Sequence, residues 1–235
     1  MKNLTPENTA LLVVDMQDGE SWKFNTHHWN RIVESIGTLT TVARAVRMPI
    51  IHVFYSTKLP KHIGPFEYDE NIDPFVFKDT NGDTKNIWSS EHIVSDCFPN
   101  IGEWIYGKNS RNAFKEGDFL SGVKGKKSDQ LQNLLVSGVM LNDCVLKTAK
   151  GGQEHGYRSI VIPEATGRTI GAEAEWLEEN SEGISIIGVS DIIKHIGMTR
   201  ADIRKTLVQS VLEVRPLPDR LSHTHPPKAR RSVTP

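Results

Sequence analysis

The chain has 235 residues, with 28 Lys+Arg against 29 Asp+Glu and a formal net charge of -1. A compact chain of this size buries roughly 70% of its unfolded surface, so its core needs neither disulfides nor a metal. Balanced charge excludes the basic excess of a nucleic-acid grip, and no apolar run approaches the ~18 residues of a membrane helix.

The start is polar, with Lys2 and Glu7, and only the short apolar run 10–14 precedes Asp15, which is not the pattern of a signal peptide. That run, Ala-Leu-Leu-Val-Val, reads as a strand buried on both faces. From 29 to 47 the apolar residues Ile32, Val33, Ile36, Leu39, Val42, Ala43 and Val46 recur at spacings of three and four, one face of an amphipathic helix. Pro49 stops it, and 50–54 reads as a second strand. A long polar connection follows from 56 to 100, and loops of that length are usually functional. Further strands are expected at 104–106, 134–140, 159–162 and 184–187. A helix beginning near Cys144 and another over 172–180 separate the last three. Strands alternating with helices mean right-handed crossovers between parallel strands, hence a layered α/β sheet. Residues 200–214 suit a C-terminal helix, with Ile203, Leu207 and Val211 on one face, and from Pro216 the composition turns to that of a mobile tail.

The chemistry-bearing motifs are few. Gly102 to Lys108 matches the spacing of a phosphate loop, but Asn109 stands where Ser or Thr must hold magnesium, and 104–106 reads as the strand itself. No G-x-S-x-G and no H-E-x-x-H occurs. Cys97, in the long connection, reads as a small half-buried apolar residue. Cys144 follows the fourth strand across a short turn in which Asn142 or Asp143 can cap the helix. A thiol in the first helical turn feels the positive end of the dipole, which favours the thiolate. By position alone it suits a nucleophile and a buried structural cysteine equally. Asp15 closes an apolar strand, where a carboxylate is costly without a partner or a task, although an ordinary turn residue also fits. Ligands of open α/β sheets bind at the carboxyl ends of strands where the strand order reverses. If the first and fourth strands are neighbours there, Asp15 and Cys144 face each other, and Lys108 at the end of the third strand points to the same edge.

Three motifs in register carry a resemblance: Leu11-Leu-Val-Val-Asp15-Met-Gln17, Tyr106-Gly-Lys108-Asn-Ser-Arg-Asn-Ala-Phe114, and Val136-Ser-Gly138-Val-Met-Leu-Asn-Asp-Cys144-Val. With Gly156-Tyr157 and Pro163-Glu-Ala165, the sequence resembles the isochorismatase-like cysteine hydrolases, which include nicotinamidases, N-carbamoylsarcosine amidases and biuret or ureido hydrolases. The resemblance implies a Rossmann-like six-stranded parallel sheet with helices on both faces, formed by a hydrolase domain over 1–198, with a C-terminal helix and Pro/Arg-rich tail over 199–235. It implies a catalytic triad of Asp15, Lys108 and Cys144, with Asp15 as base and Lys108 holding both partners ionised. Backbone N–H groups of Met140 and Cys144 form the implied oxyanion hole, aimed by a cis Val139-Met140 bond. The implied reaction is hydrolysis of a C–N bond in a small amide, ureido or carbamoyl compound through a thioester. Vinyl ether hydrolysis and a non-catalytic binding role on the same fold are the alternatives; the presence of Cys144 and of all three triad residues weighs against them. Trp22, Arg111 and Asp143 are expected to line the substrate pocket, with Arg111 either offering its planar fork to an anionic group or standing as an ordinary surface arginine.

Departures from the family's pattern are Asp18-Gly-Glu20, Asn112, Glu164 and Gly151-Gly152, which is expected to interrupt the helix after the nucleophile. No metal or other cofactor is expected. The second strand runs into Ser56-Thr-Lys58 without the Asp-x-His of nicotinamidases, and His62 stands alone beside Glu67, Asp69, Glu70 and Asp73. The expected protein is cytoplasmic, takes a small-molecule substrate, binds neither nucleic acid nor membrane, and associates with itself as a homo-oligomer.

Overall fold

In the computed structural model the described residues are 4–17, 23–55, 76–78, 84–86, 97, 99–100, 102–115, 119, 131–169, 171–199, 201–202 and 205. Trp22, most of the 56–100 connection and nearly all of the expected C-terminal helix and tail lie outside them.

β1 (Thr9–Val14) leads to α1 (Thr26–Ala45) and β2 (Ile50–Tyr55). The connection that follows contains a small antiparallel hairpin, β3 (Val76–Lys78) with β4 (Thr84–Asn86), where only loop was expected. Then come β5 (Trp104–Lys108), a 3₁₀ turn (Ala113–Lys115), β6 (Asn133–Val139), a π-helical turn (Leu141–Val145) and α2 (Leu146–Glu154). β7 (Arg158–Gly167), α3 (Glu173–Asn180), β8 (Ser185–Ile186) and α4 (Val189–His195) complete the domain. The main sheet is parallel throughout, in the order β5-β2-β1-β6-β7-β8. Its order reverses between β1 and β6, the Rossmann-like arrangement that the family resemblance implies.

Burial on both faces explains why β1 reads as a continuous apolar run. Leu11 and Val13 join one core with Ile32, Val33, Ile36 and Leu39 of α1 and Ile192 of α4. Ala10, Leu12 and Val14 join the other with Leu146 and Ala149 of α2 and Leu177 of α3. Each such Leu, Ile or Val side chain contributes about 1.5–3 kcal/mol by leaving water, so helices are held on both faces. No described helix is long and apolar enough to cross a membrane.

Local chemistry sets the element ends. The Asn25 side chain accepts from His28 N (2.9 Å), so α1 starts before the apolar stripe does. At its other end Arg47 is left-handed (φ 58°) and Met48 N donates to Ala43 O (2.8 Å), a Schellman-type stop ahead of Pro49. β7 runs five residues past its expected end at Ile162. Its ladder to β6 shifts register between Val136 and Gly138, where Pro163 interrupts it, and resumes as Gly138↔Thr166 and Val139↔Gly167.

The glycine pair does not interrupt α2, contrary to expectation. A Cβ on Gly151 would stand 2.4 Å from Asn112 Oδ1, and one on Gly152 would stand 2.6 Å from Ser159 Oγ. The two glycines are the price of close approach. α2 lies directly on the segment after β5, and Thr148 Oγ1 accepts from Ala113 N (3.2 Å).

The amino-terminal edge of the sheet carries a buried polar cluster. Arg44 of α1 donates to Glu103 through Nε (2.7 Å to Oε1) and Nη2 (3.1 Å to Oε2). Fully buried His52 of β2 lies with Nε2 2.8 Å from Glu103 Oε2. Burial lowers the His52 pKa, so the ring is neutral and its Nε2–H donates. The hydrogen bonds from His52 and Arg44, with the Arg44 charge, outweigh burial at Glu103 and hold its carboxyl at about 2.

Candidate active site

Three strand ends meet at the carboxyl edge of the sheet. Asp15 follows the last residue of β1 in a left-handed conformation (φ 52°), a costly one for a residue with a Cβ, and its N–H donates to Val53 O (2.8 Å). Lys108 is the last residue of β5, with β2 lying between it and β1. The lysine must therefore cross two strand spacings, ~9–10 Å, to reach the aspartate. It does so: Lys108 Nζ donates to Asp15 Oδ2 at 2.7 Å, with the side chains 0% and 6% exposed. A buried pair of this kind is maintained only by close geometry.

Cys144 arrives from β6. Gly138 (φ 109°) lets that strand close on β1, since a Cβ there would stand 1.9 Å from Val14 O. The Val139–Met140 peptide is cis. The chain then enters the π-helical turn that carries the half-buried Cys144 thiol, within hydrogen-bonding reach of Asp15 and Lys108. Burial, then the Asp15 charge, push the thiol up to about 12, against the opposing pull of Lys108. This corrects the expectation of a preformed thiolate. Cys144 rests as a neutral thiol beside a carboxylate that can take its proton, because desolvation and the Asp15 charge outweigh the lysine.

The cap expected from Asn142 or Asp143 is also absent: the turn has no side-chain cap, Asn142 is exposed, and Asp143 is engaged elsewhere. Asp143 Oδ1 accepts from Lys147 Nζ (2.6 Å), and Oδ2 lies 3.2 Å from Arg111 Nε. Arg111 and Asp143, both expected in the pocket, are thus brought together beside Cys144 as partners of each other. Arg111 is 66% exposed, so its ion pair is a weak one. Met140 is half-buried and packs against the α1-side core. Trp22 lies outside the described residues, as do His62 and the acidic residues after it. Among the described residues no three His, Cys, Asp or Glu side chains converge as ligands for a cation.

Two residues at this edge were not singled out from sequence. The Gln17 carboxamide clasps the end of β2, accepting from Tyr55 N (3.0 Å) and donating to Tyr55 O (3.3 Å). The Tyr55 ring lies under Lys108 Nζ, 5.1 Å from its centroid. Neither is visible without the strand register that sets Tyr55 opposite Lys108.

A profile of the Isochorismatase domain matches residues 9–176. Comparison with curated proteins gives no match. Among solved structures, an isochorismatase family protein from Burkholderia thailandensis is 16% identical, covering 83% of this chain and 98% of its own, with a TM-score of 0.62. The MAR1 ribonuclease of Caenorhabditis elegans is 17% identical, with coverages of 92% and 98% and a TM-score of 0.60. A cysteine hydrolase from Pseudomonas syringae pv. phaseolicola is 17% identical, with coverages of 84% and 99% and a TM-score of 0.57. At these identities the structural likeness speaks for the fold, and the domain match for the family. The chain belongs to the isochorismatase family, a family of hydrolases.

Proposed function

We propose that the protein is a cysteine amidohydrolase that cleaves a C–N bond of a small amide, ureido or carbamoyl compound. The observation that carries this reading is the buried Asp15–Lys108 pair within reach of the Cys144 thiol. Asp15 accepts the thiol proton as sulfur attacks the carbonyl carbon. The resulting oxyanion is held by the N–H groups of Met140 and Cys144, at the start of a turn where N–H groups lack partners within the helix. Lys108 keeps Asp15 oriented and balances its charge. The tetrahedral intermediate collapses, the C–N bond breaks, and Asp15 returns its proton to the leaving nitrogen. Water, deprotonated by Asp15, then hydrolyses the thioester and restores the thiol.

Arg111, Asp143 and Trp22 serve in this reading as substrate contacts, acting without a metal, in a cytoplasmic homo-oligomer. The test is single-turnover trapping: an acyl adduct on Cys144, detected by mass spectrometry during a screen of small amides, ureas and carbamoyl compounds. Turnover that leaves Cys144 unmodified and survives Cys144→Ala would overturn the thioester route. RNA belongs in the same screen because one fold neighbour is named a ribonuclease. A formal charge of -1 gives this chain no general attraction to a polyanion.

A further inference from the structure

Lys108 has a side chain that is 0% exposed, yet it ends at the sheet edge where ligands enter. Tyr55 stands beside it, and among the described residues it is the one large apolar side chain left exposed, at 40%. Its Cα is paired with that of Lys108 in the β2–β5 ladder, on the strand the lysine must cross to reach Asp15. The ammonium lies over the ring, 5.1 Å from the centroid, and on Asp15 Oδ2 at 2.7 Å. Gln17, two residues past Asp15, grips both backbone polar groups of Tyr55, so the segment that follows β1 fixes the backbone that carries the ring.

We infer that Tyr55 is a positioning residue of the catalytic pair: its ring lies against the Lys108 ammonium, keeps water off it, and holds it against Asp15. The physical logic is that a desolvated cation needs partners on more than one side, and a carboxylate occupies only one. The π face supplies a second without a proton to exchange or a lone pair to compete with Asp15. An aromatic side chain half in water costs little, whereas an ammonium hydrated there would loosen a pair that acts only when closely set. The role belongs to the ring face, so the phenolic hydroxyl is dispensable.

This inference rests on the proposed Asp15–Lys108–Cys144 mechanism, and its test is separable from it. Proton exchange of the Lys108 ammonium, followed by ¹H–¹⁵N NMR on the full chain and assigned by its loss in Lys108→Arg, needs no substrate. Slow exchange is expected in the parent and in Tyr55→Phe. Exchange at least about fivefold faster is expected in Tyr55→Leu, which keeps an apolar side chain but has no π face, and in Tyr55→Ala. On the best substrate of the screen, kcat should fall about tenfold in Tyr55→Leu with KM within about twofold, and Tyr55→Phe should restore it. Parental exchange in Tyr55→Leu, exchange in Tyr55→Phe as fast as in Tyr55→Ala, or a parental kcat in Tyr55→Leu each overturns the assignment. Turnover surviving in Cys144→Ala would instead remove the thioester mechanism, and the ammonium exchange would still decide the role of the ring.

Discussion

Lys108 meets Asp15 at 2.7 Å across the end of the strand that lies between them. The pair comes from residues 93 apart in sequence, and the longest unbranched cationic side chain is what spans the gap. Shortening it should break the pair without a substitute within reach. Lys108→Ala should therefore lose at least about 100-fold in kcat/KM, the scale for removing one positioned electrostatic group. Steady-state kinetics with circular dichroism on the same samples checks this, and an intact fold with parental kcat/KM would refute the role.

Cys144 carries the second prediction. With its thiol pushed up to about 12, alkylation by iodoacetamide should be slow at neutral pH. It should climb about tenfold per pH unit without levelling near 9, where an ordinary thiol saturates. The same displacement gives a stability term that is fully present below pH 9 and is lost as pH rises towards about 12. Cys144→Ala should abolish turnover, and Cys97→Ala should not. Peptide mass spectrometry of alkylation between pH 7 and 10 is the measurement; a plateau below pH 9 would restore the preformed thiolate.

Gly151 should resist replacement even though alanine favours helices by ~1 kcal/mol. The added methyl group would stand 2.4 Å from Asn112 Oδ1, and Asn112 is held in turn, its Oδ1 accepting from Phe114 N (2.9 Å). We expect Gly151→Ala to destabilise by about 1–3 kcal/mol, the usual scale of overpacking. Gly151→Ala combined with Asn112→Ala should recover part of that loss. Denaturant unfolding of the two single variants and the double variant gives the coupling, and strict additivity would count against the contact.

Glu103 makes the far edge of the sheet sensitive to acid. Its carboxyl is lowered from 4.5 to about 2, so its stabilising contribution is present above pH 4.5 and is lost as pH falls through about 2. His52 acts in the same direction: its folded pKa lies below 6.5, so protons taken up by the unfolded chain below that value favour unfolding. Glu103→Gln should lower stability at pH 7 by about 3 kcal/mol, with the difference from the parent closing towards pH 2. Thermal unfolding across that range tests it; a pH-independent difference would show that packing, not charge, is what the variant loses.

Much of this architecture was legible along the chain because it is written in short periods. The run at 10–14 reads as a strand buried on two faces because alternate residues of β1 enter the two cores, and the stripe from Ile32 to Ala43 reads as a helix because it packs on one of them. The motif residues Asp15, Lys108 and Cys144 could be placed at one edge because parallel strands separated by helices carry their carboxyl ends to the same side.

What only the tertiary structure decided depends on atoms that distant segments bring together. The thiol rests protonated because burial and Asp15 act on it more strongly than Lys108 does, a balance of burial and charge that no local pattern contains. Arg111 faces Asp143, and Tyr55 carries Lys108, because of where separate elements end in space. Gly151 looked like a break and is a contact: helix propensity is a property of the local chain, and it yields where another segment must lie closer than a side chain permits.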